Sequence, residues 1–140
     1  MNLVIESAGA VASLVRLGHH ELVFDQAAPV PGGEDRGPSP LDVMVVAVGA
    51  CAHYYAAAFL FGRNLPTEGL RVEVAFEKTK DPVPRIGRLD LHVVLPAGVP
   101  PHYLPAIERA VHRCPAYGTL HSPPEVTLTI DAPRPSVTAA

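Results

Sequence analysis

Two cysteines, Cys51 and Cys114, are the residues of this chain best suited to do chemistry. Cys51 lies in the middle of a stretch, Val43–Gly62, whose other polar side chains are only His53, Tyr54 and Tyr55. Cys114 stands directly before Pro115, at the end of a second segment with an apolar stripe. If those segments pack together, the thiols can meet. As a redox pair, one thiolate would attack an oxidant and the other would resolve the sulfenic acid into a disulfide. As packing, both are small buried hydrophobes. Zinc is a third arrangement, because Cys51-Ala52-His53 and His112-Arg113-Cys114 supply two thiols and two imidazoles. Helical residues two apart diverge by about 200°, so neither couple can share an ion, and no metal is expected. His19-His20 reads as a hairpin turn rather than a ligand pair.

A thiolate that attacks peroxides needs a nearby cation to lower its pKa. Arg16, Arg36, Arg85 and Arg88 are the candidates, and spacing alone selects none of them. On a helix, Asp42 and His53 fall on nearly the same face and Cys51 on a different one. Val48, Tyr54 and Tyr55 lie nearer the sulfur. With Met44 they would give it greasy surroundings suited to an apolar substrate.

The helix that carries Cys51 has a legible start. Ser39 can cap it, Pro40 then sits at the first helical position where its missing N–H costs nothing, and Ser39-x-x-Asp42 reads as a capping box. Asp42 therefore has a structural reading, as a cap, beside any functional one. A helix apolar on every face must be buried on every face, and in a chain of 140 residues that calls for a second copy of the chain as well. The run is also long enough to cross a bilayer. Its histidine and tyrosines sit near the middle rather than at the interfaces, which favours a buried helix.

The remaining pattern predicts a single α+β domain over 1–140 in the order βββ–α–ββ–α–β. Leu3–Glu6, Val11–Leu17 and His20–Asp25 form a β-meander within 1–25, punctuated by Gly9 and Gly18. A Pro/Gly-rich loop over 26–40 leads to the central helix at 41–62. In 70–132, Val72, Val74 and Phe76, then Leu89, Leu91, Val93 and Leu95, alternate with charged residues as two half-buried strands. A helix over about Pro101 to Arg113 and a last strand, Glu125–Asp131, follow, and Pro133–Ala140 reads as a frayed tail.

Bulk properties exclude several classes. Hydrophobic residues make up 48% and charged residues 18%, which is incompatible with a disordered chain. A net charge of −3 with no basic run argues against a nucleic-acid partner. Two cysteines cannot staple a secreted scaffold. The start, Met1-Asn2-Leu3-Val4-Ile5-Glu6, has no basic region leading into an apolar core, so neither a signal peptide nor a membrane anchor is expected, and the expected location is cytoplasmic.

Gly-Gly-Glu-Asp-Arg-Gly-Pro-Ser-Pro-Leu-Asp over 32–42, Ala47-Val48-Gly49-Ala50-Cys51, Cys114-Pro115 through Thr119-Leu120, and Glu125-Val126 together resemble the OsmC/Ohr family of osmotically induced and organic hydroperoxide resistance proteins. The resemblance runs from about Leu3 to Ala132. It implies an intertwined homodimer with long cysteine-bearing helices at its centre, a sheet on each side and an active site at the interface. It also implies reduction of organic hydroperoxides without metal or cofactor. Cys51 would be the peroxidatic thiolate and Cys114 the resolving thiol, with a dithiol such as a lipoyl group as reductant. Arg16 or Arg36 would support the thiolate, with Asp42 as the nearby acid and Met44, Val48, Tyr54 and Tyr55 around the substrate. Peroxidase branches of the family place a glutamate directly after the proline matching Pro40. Here that residue is Leu41 and the acid follows at Asp42, which resembles the broader OsmC-like branch. The alternatives are a non-catalytic dimer binding an apolar small molecule at the interface, and a redox-sensing dimer whose cysteines pair without turnover.

Overall fold

The computed structural model describes residues 2–132, so the expected tail at Pro133–Ala140 lies outside the described residues. Three short strands, β1 (Ile5–Ser7), β2 (Ser13–Leu17) and β3 (His20–Phe24), form an antiparallel meander in the order β1-β2-β3. Gly18, with φ 62, makes the tight turn that pairs Leu17 with His20. Helix α1 (Pro40–Phe61) follows, then the hairpin of β4 (Arg71–Thr79) and β5 (Arg85–Val94). One 3₁₀ turn (Pro101–Tyr103) leads into α2 (Leu104–His112), and α3 (Pro115–His121) closes the regular structure.

The local chemistry of α1 follows its sequence. Ser39 is extended (φ −67°, ψ 147°), and its hydroxyl accepts from the Asp42 amide at 3.2 Å while donating to the Asp42 carboxylate at 2.6 Å. Val45, Val48, Gly49, Ala52, Ala56 and Leu60 are the buried residues of α1, recurring every three or four positions. They face α2, β4, α3 and β5. Gly49 lets strand and helix approach closely, since a Cβ there would stand 2.7 Å from a Val74 methyl. The core proper joins Ala52, Ala56 and Leu60 to Leu70, Ile107 and Val111, with Leu91, Val93 and Tyr103 packed around it.

The opposite side of α1 has no cover among the described residues. Val46, Tyr54 and Phe61 are 63%, 64% and 80% exposed, so the helix is buried on one face only. Its length and composition would also suffice to cross a membrane. The N-terminal sheet packs chiefly on itself, and Val4 and Ile5 stay exposed.

One expectation needs correction, and one helix goes beyond the sequence pattern. The helix expected over about Pro101 to Arg113 forms as the 3₁₀ turn and α2 and ends before Pro115, and the short helix α3 follows it. Pro115 has no amide to continue α2, so the Cys114 amide closes α2 on the Val111 carbonyl at 2.9 Å and its own carbonyl opens α3 through Gly118 at 2.9 Å. The strand expected at Glu125–Asp131 does not form within the single chain. Its alternating pattern has no ladder to join here, and Val126, Leu128 and Ile130 are 84%, 83% and 82% exposed.

Candidate functional site

The break between α2 and α3 carries Cys114 onto the middle of α1. The sulfurs of Cys51 and Cys114 are bonded, their Cα atoms are 5.9 Å apart, and 63 residues of sequence separate them. That Cα spacing lies in the normal disulfide range. Cys114 is 1% exposed, while Cys51 is half-buried. The pair therefore has one inner member and one reachable from outside.

A cavity of about 530 Å³ with a mixed lining lies between β5 and α2, α3 and α1, and neither cysteine is among its lining residues. Val48, Leu91, Ile107, Val111 and Leu120 are among its walls. Val48 precedes Cys51 by one helical turn, and Val111 precedes Cys114 by three residues. A second, smaller cavity of about 320 Å³ shares Val48, Leu89 and Leu120 with the first and extends over Met44 to Arg85 and Arg88. Met44 lines the second cavity and Val48 lines both. Tyr54 and Tyr55 line neither cavity; they meet each other edge-on at 5.4 Å, and Tyr54 points outward at 64% exposure.

The expected charged partners are occupied elsewhere. Arg16 lies on the outer side of β2 and pairs with Glu6 at 3.1 Å and Glu21 at 3.0 Å. Arg36 donates to the Ala8 carbonyl. Neither guanidinium meets a sulfur within the chain, because cross-strand and loop acceptors lie nearer. Asp42 serves as the cap residue and also accepts from Lys78 at 3.5 Å. The Ser39 hydroxyl does most to hold its carboxyl below the ordinary value, against a rise from burial and with help from the Lys78 charge. Among the described residues, no three of His, Cys, Asp and Glu converge as a metal set.

Sequence reasoning missed Asp25, which is 2% exposed at the end of β3. One carboxylate oxygen accepts from the Gln26 amide at 2.7 Å, and the other from the amides of Glu34 and Arg36 at 3.2 Å each. Asp35, between those two donors, is left-handed (φ 56), and this turns both amides toward one acceptor. Burial pushes the Asp25 carboxyl up; the three amides and the Arg36 charge outweigh it and lower it. Asp25 thereby ties down the Pro/Gly loop that delivers the chain to α1. The available signal was an acid at a strand end, just before a loop full of amides needing acceptors.

The family profile for OsmC-like proteins matches residues 32–129, and the chain belongs to that family. Solved structures share its fold. An OsmC-like protein from Mycoplasma pneumoniae superposes with a TM-score of 0.72 at 15% identity, over 87% of each chain. A protein from Psychrobacter arcticus, provisionally named for osmotic stress induction and a detoxification response, gives 0.73 at 13% identity, over 85% of this chain and 87% of that one. An organic hydroperoxide resistance protein OsmC from Legionella pneumophila gives 0.61 at 16% identity, over 86% and 89%. At such identities the likeness establishes the fold, an α+β OsmC-like fold. No curated protein matches the chain by sequence.

Proposed function

We propose that this protein reduces organic hydroperoxides through Cys51 and Cys114 and works as a homodimer. The observation that carries the reading is the bonded pair itself, whose half-buried member Cys51 stands on α1 one turn from the cavity residue Val48. The Cys51 thiolate attacks the terminal peroxide oxygen, the O–O bond breaks, and the alkoxide leaves as alcohol after taking a proton. Cys51 is then a sulfenic acid. The Cys114 thiolate attacks its sulfur, and water leaves as the disulfide closes. A dithiol, such as a lipoyl group, returns both sulfurs to thiols and becomes a disulfide itself. That cycle suits a reducing compartment, and the cytoplasm is the location we propose.

Support for the homodimer comes from the surfaces left bare. The uncovered apolar face of α1, the self-packed N-terminal sheet and the unpaired strand pattern at Glu125–Asp131 each lack a counterpart among the described residues. An exposed apolar surface of this kind marks an interaction site. A second copy would cover α1.

Turnover of cumene hydroperoxide with a dithiol tests the reading. Wild type should consume peroxide well above the thiol background and Cys51→Ser should not; undiminished consumption by Cys51→Ser would reject it. A second reading has one observation in its favour: Arg16 and Arg36 are engaged away from the sulfurs. In that case the dimer either binds an apolar molecule or senses oxidation through its cysteines, without turnover.

A further inference from the structure

Helix α3 is weak by sequence and is fastened to α1 at its first turn. None of its residues, Pro115–His121, is buried, whereas α2 seats Ile107 and Val111 in the core. Its 7 residues fall short of the roughly 12 at which an isolated helix becomes even marginal in water. Its N-cap is Cys114, whose side chain makes no capping hydrogen bond. Gly118 stands in its interior, and an added Cβ there would meet nothing within 4 Å, so no close approach requires glycine. Glycine and the neighbouring Thr119 are both poor helix formers. Among the described residues, the side-chain hydrogen bond of α3 stays inside the helix, from the Thr119 hydroxyl to the Pro115 carbonyl at 2.8 Å. Tyr117 stacks between His112 and His121, at 5.0 and 4.4 Å between ring centroids, which joins α3 to the end of α2 rather than to α1. The firm tie to α1 is the buried Cys114 and its bond to Cys51.

We propose that the Cys51–Cys114 bond is a latch on α3: when bonded, it holds the helix against α1, and when reduced, it lets the helix unwind while α2 stays seated. A dithiol opens the latch by exchange. Each protein sulfur ends as a thiol with its own proton, and the dithiol's two sulfurs are left joined as a disulfide. The bond works by removing unwound alternatives from a segment that has little else to hold it. The consequence falls on the cavities. Helix α3 supplies Tyr117, Leu120 and His121 to the larger one, and Leu120 borders the smaller one as well. Release of α3 takes down that wall, so the space between β5 and α1 opens in the reduced protein and closes in the oxidised one. In the peroxidase reading, the cavity admits substrate when the thiols are ready to react. The latch rests on that reading only for what enters; its motion needs only that the two sulfurs be joined or apart.

Hydrogen exchange read by mass spectrometry on the full-length protein tests the latch, with dithiothreitol-reduced and diamide-oxidised samples compared. The amides of Gly118 and Ser122 donate to the Cys114 and Gly118 carbonyls at 2.9 Å each and report on α3. Their protection should fall at least about tenfold on reduction, while that of α2 changes by less than about twofold. Cys51→Ala leaves the α3 sequence intact and should match reduced wild type under both conditions. Gly118→Ala should raise protection of reduced α3 by about fivefold, the difference in helix propensity between the two residues. Equal α3 protection in the two redox states would overturn the proposal. So would an equal loss across α2 and α3, which would make the change a general destabilisation. Turnover of cumene hydroperoxide, followed in parallel, separates the two layers. If peroxide is consumed while α3 is equally protected in both states, the latch fails and the peroxidase reading stands. If α3 loosens on reduction and no peroxide is consumed, the latch stands and the peroxidase reading fails.

Discussion

Cys114 reaches Cys51 from the junction of two short helices, and the two Cα atoms stand 5.9 Å apart although 63 residues separate them in sequence. Pro115 creates the junction. It ends α2 at the point where the Cys114 side chain faces α1, so the pairing follows from a chain reversal rather than from sequence proximity. In the proposed chemistry the two sulfurs have unequal tasks, and their unequal exposure gives each task a consequence.

The Cys114→Ser variant should still react once with an organic hydroperoxide. Without a resolving thiol, Cys51 should stop at the sulfenic acid. Intact-mass analysis should show the gain of one oxygen per chain, and dithiol-dependent turnover should fall by at least about tenfold unless a small thiol resolves the sulfenate. A variant that cycles like wild type would remove Cys114 from the reaction.

Gly49 sets the distance between α1 and β4. Alanine is intrinsically favoured over glycine in a helix by about 1 kcal/mol. Overpacking costs about 1–3 kcal/mol, and the added methyl would lie 2.7 Å from the stiff side chain of Val74. The clash should win, so Gly49→Ala should lower stability in denaturant unfolding. Adding Val74→Ala should recover part of the loss. Greater stability in Gly49→Ala alone would contradict the packing described.

Asp25 should make the 26–37 loop sensitive to acid. Its pKa is lowered in the folded protein, so its contribution is complete above the unfolded value of about 4 and is lost as pH falls through the folded value. Asp25→Asn replaces one acceptor oxygen with a donor facing amides and should lower Tm by several degrees, on the order expected for a domain of this size. Its Tm should also vary less with pH in the acid range than wild type. Identical acid profiles would show that the carboxylate does not hold the loop.

How much of this was legible in sequence varied with the kind of signal. Helix α1 was readable because Ser39, Pro40 and Asp42 mark its start and an unbroken apolar run marks its length. Strands β4 and β5 were readable because Val72, Val74, Leu89 and Leu91 alternate with charges. The segment Glu125–Asp131 carries the same alternation, yet a strand also needs an edge to pair with, and period-two pattern says nothing about where that edge lies. Arg16 and Arg36 could not be assigned for a related reason: a guanidinium goes to its nearest acceptors, which here are Glu6, Glu21 and the Ala8 carbonyl. Asp25 escaped notice because its three partners are backbone amides, which leave no mark in side-chain spacing.

The bare face of α1 should be the centre of the dimer. Tyr54 is 64% exposed in one chain, and Tyr54→Asp would place a charge at the proposed seam. Light scattering should give twice the chain mass for wild type and a shift toward the single chain for Tyr54→Asp, since an unpaired buried charge costs several kcal/mol. Wild type running as a single chain at micromolar concentration would contradict the assembly.

Thiol stoichiometry bears most directly on the redox pair. Fully reduced protein is mixed with one equivalent of cumene hydroperoxide, and free thiols and cumyl alcohol are counted together. The account predicts that each alcohol formed removes both thiols of a chain and that a dithiol restores both. Thiols that remain at two per chain while peroxide persists would contradict it.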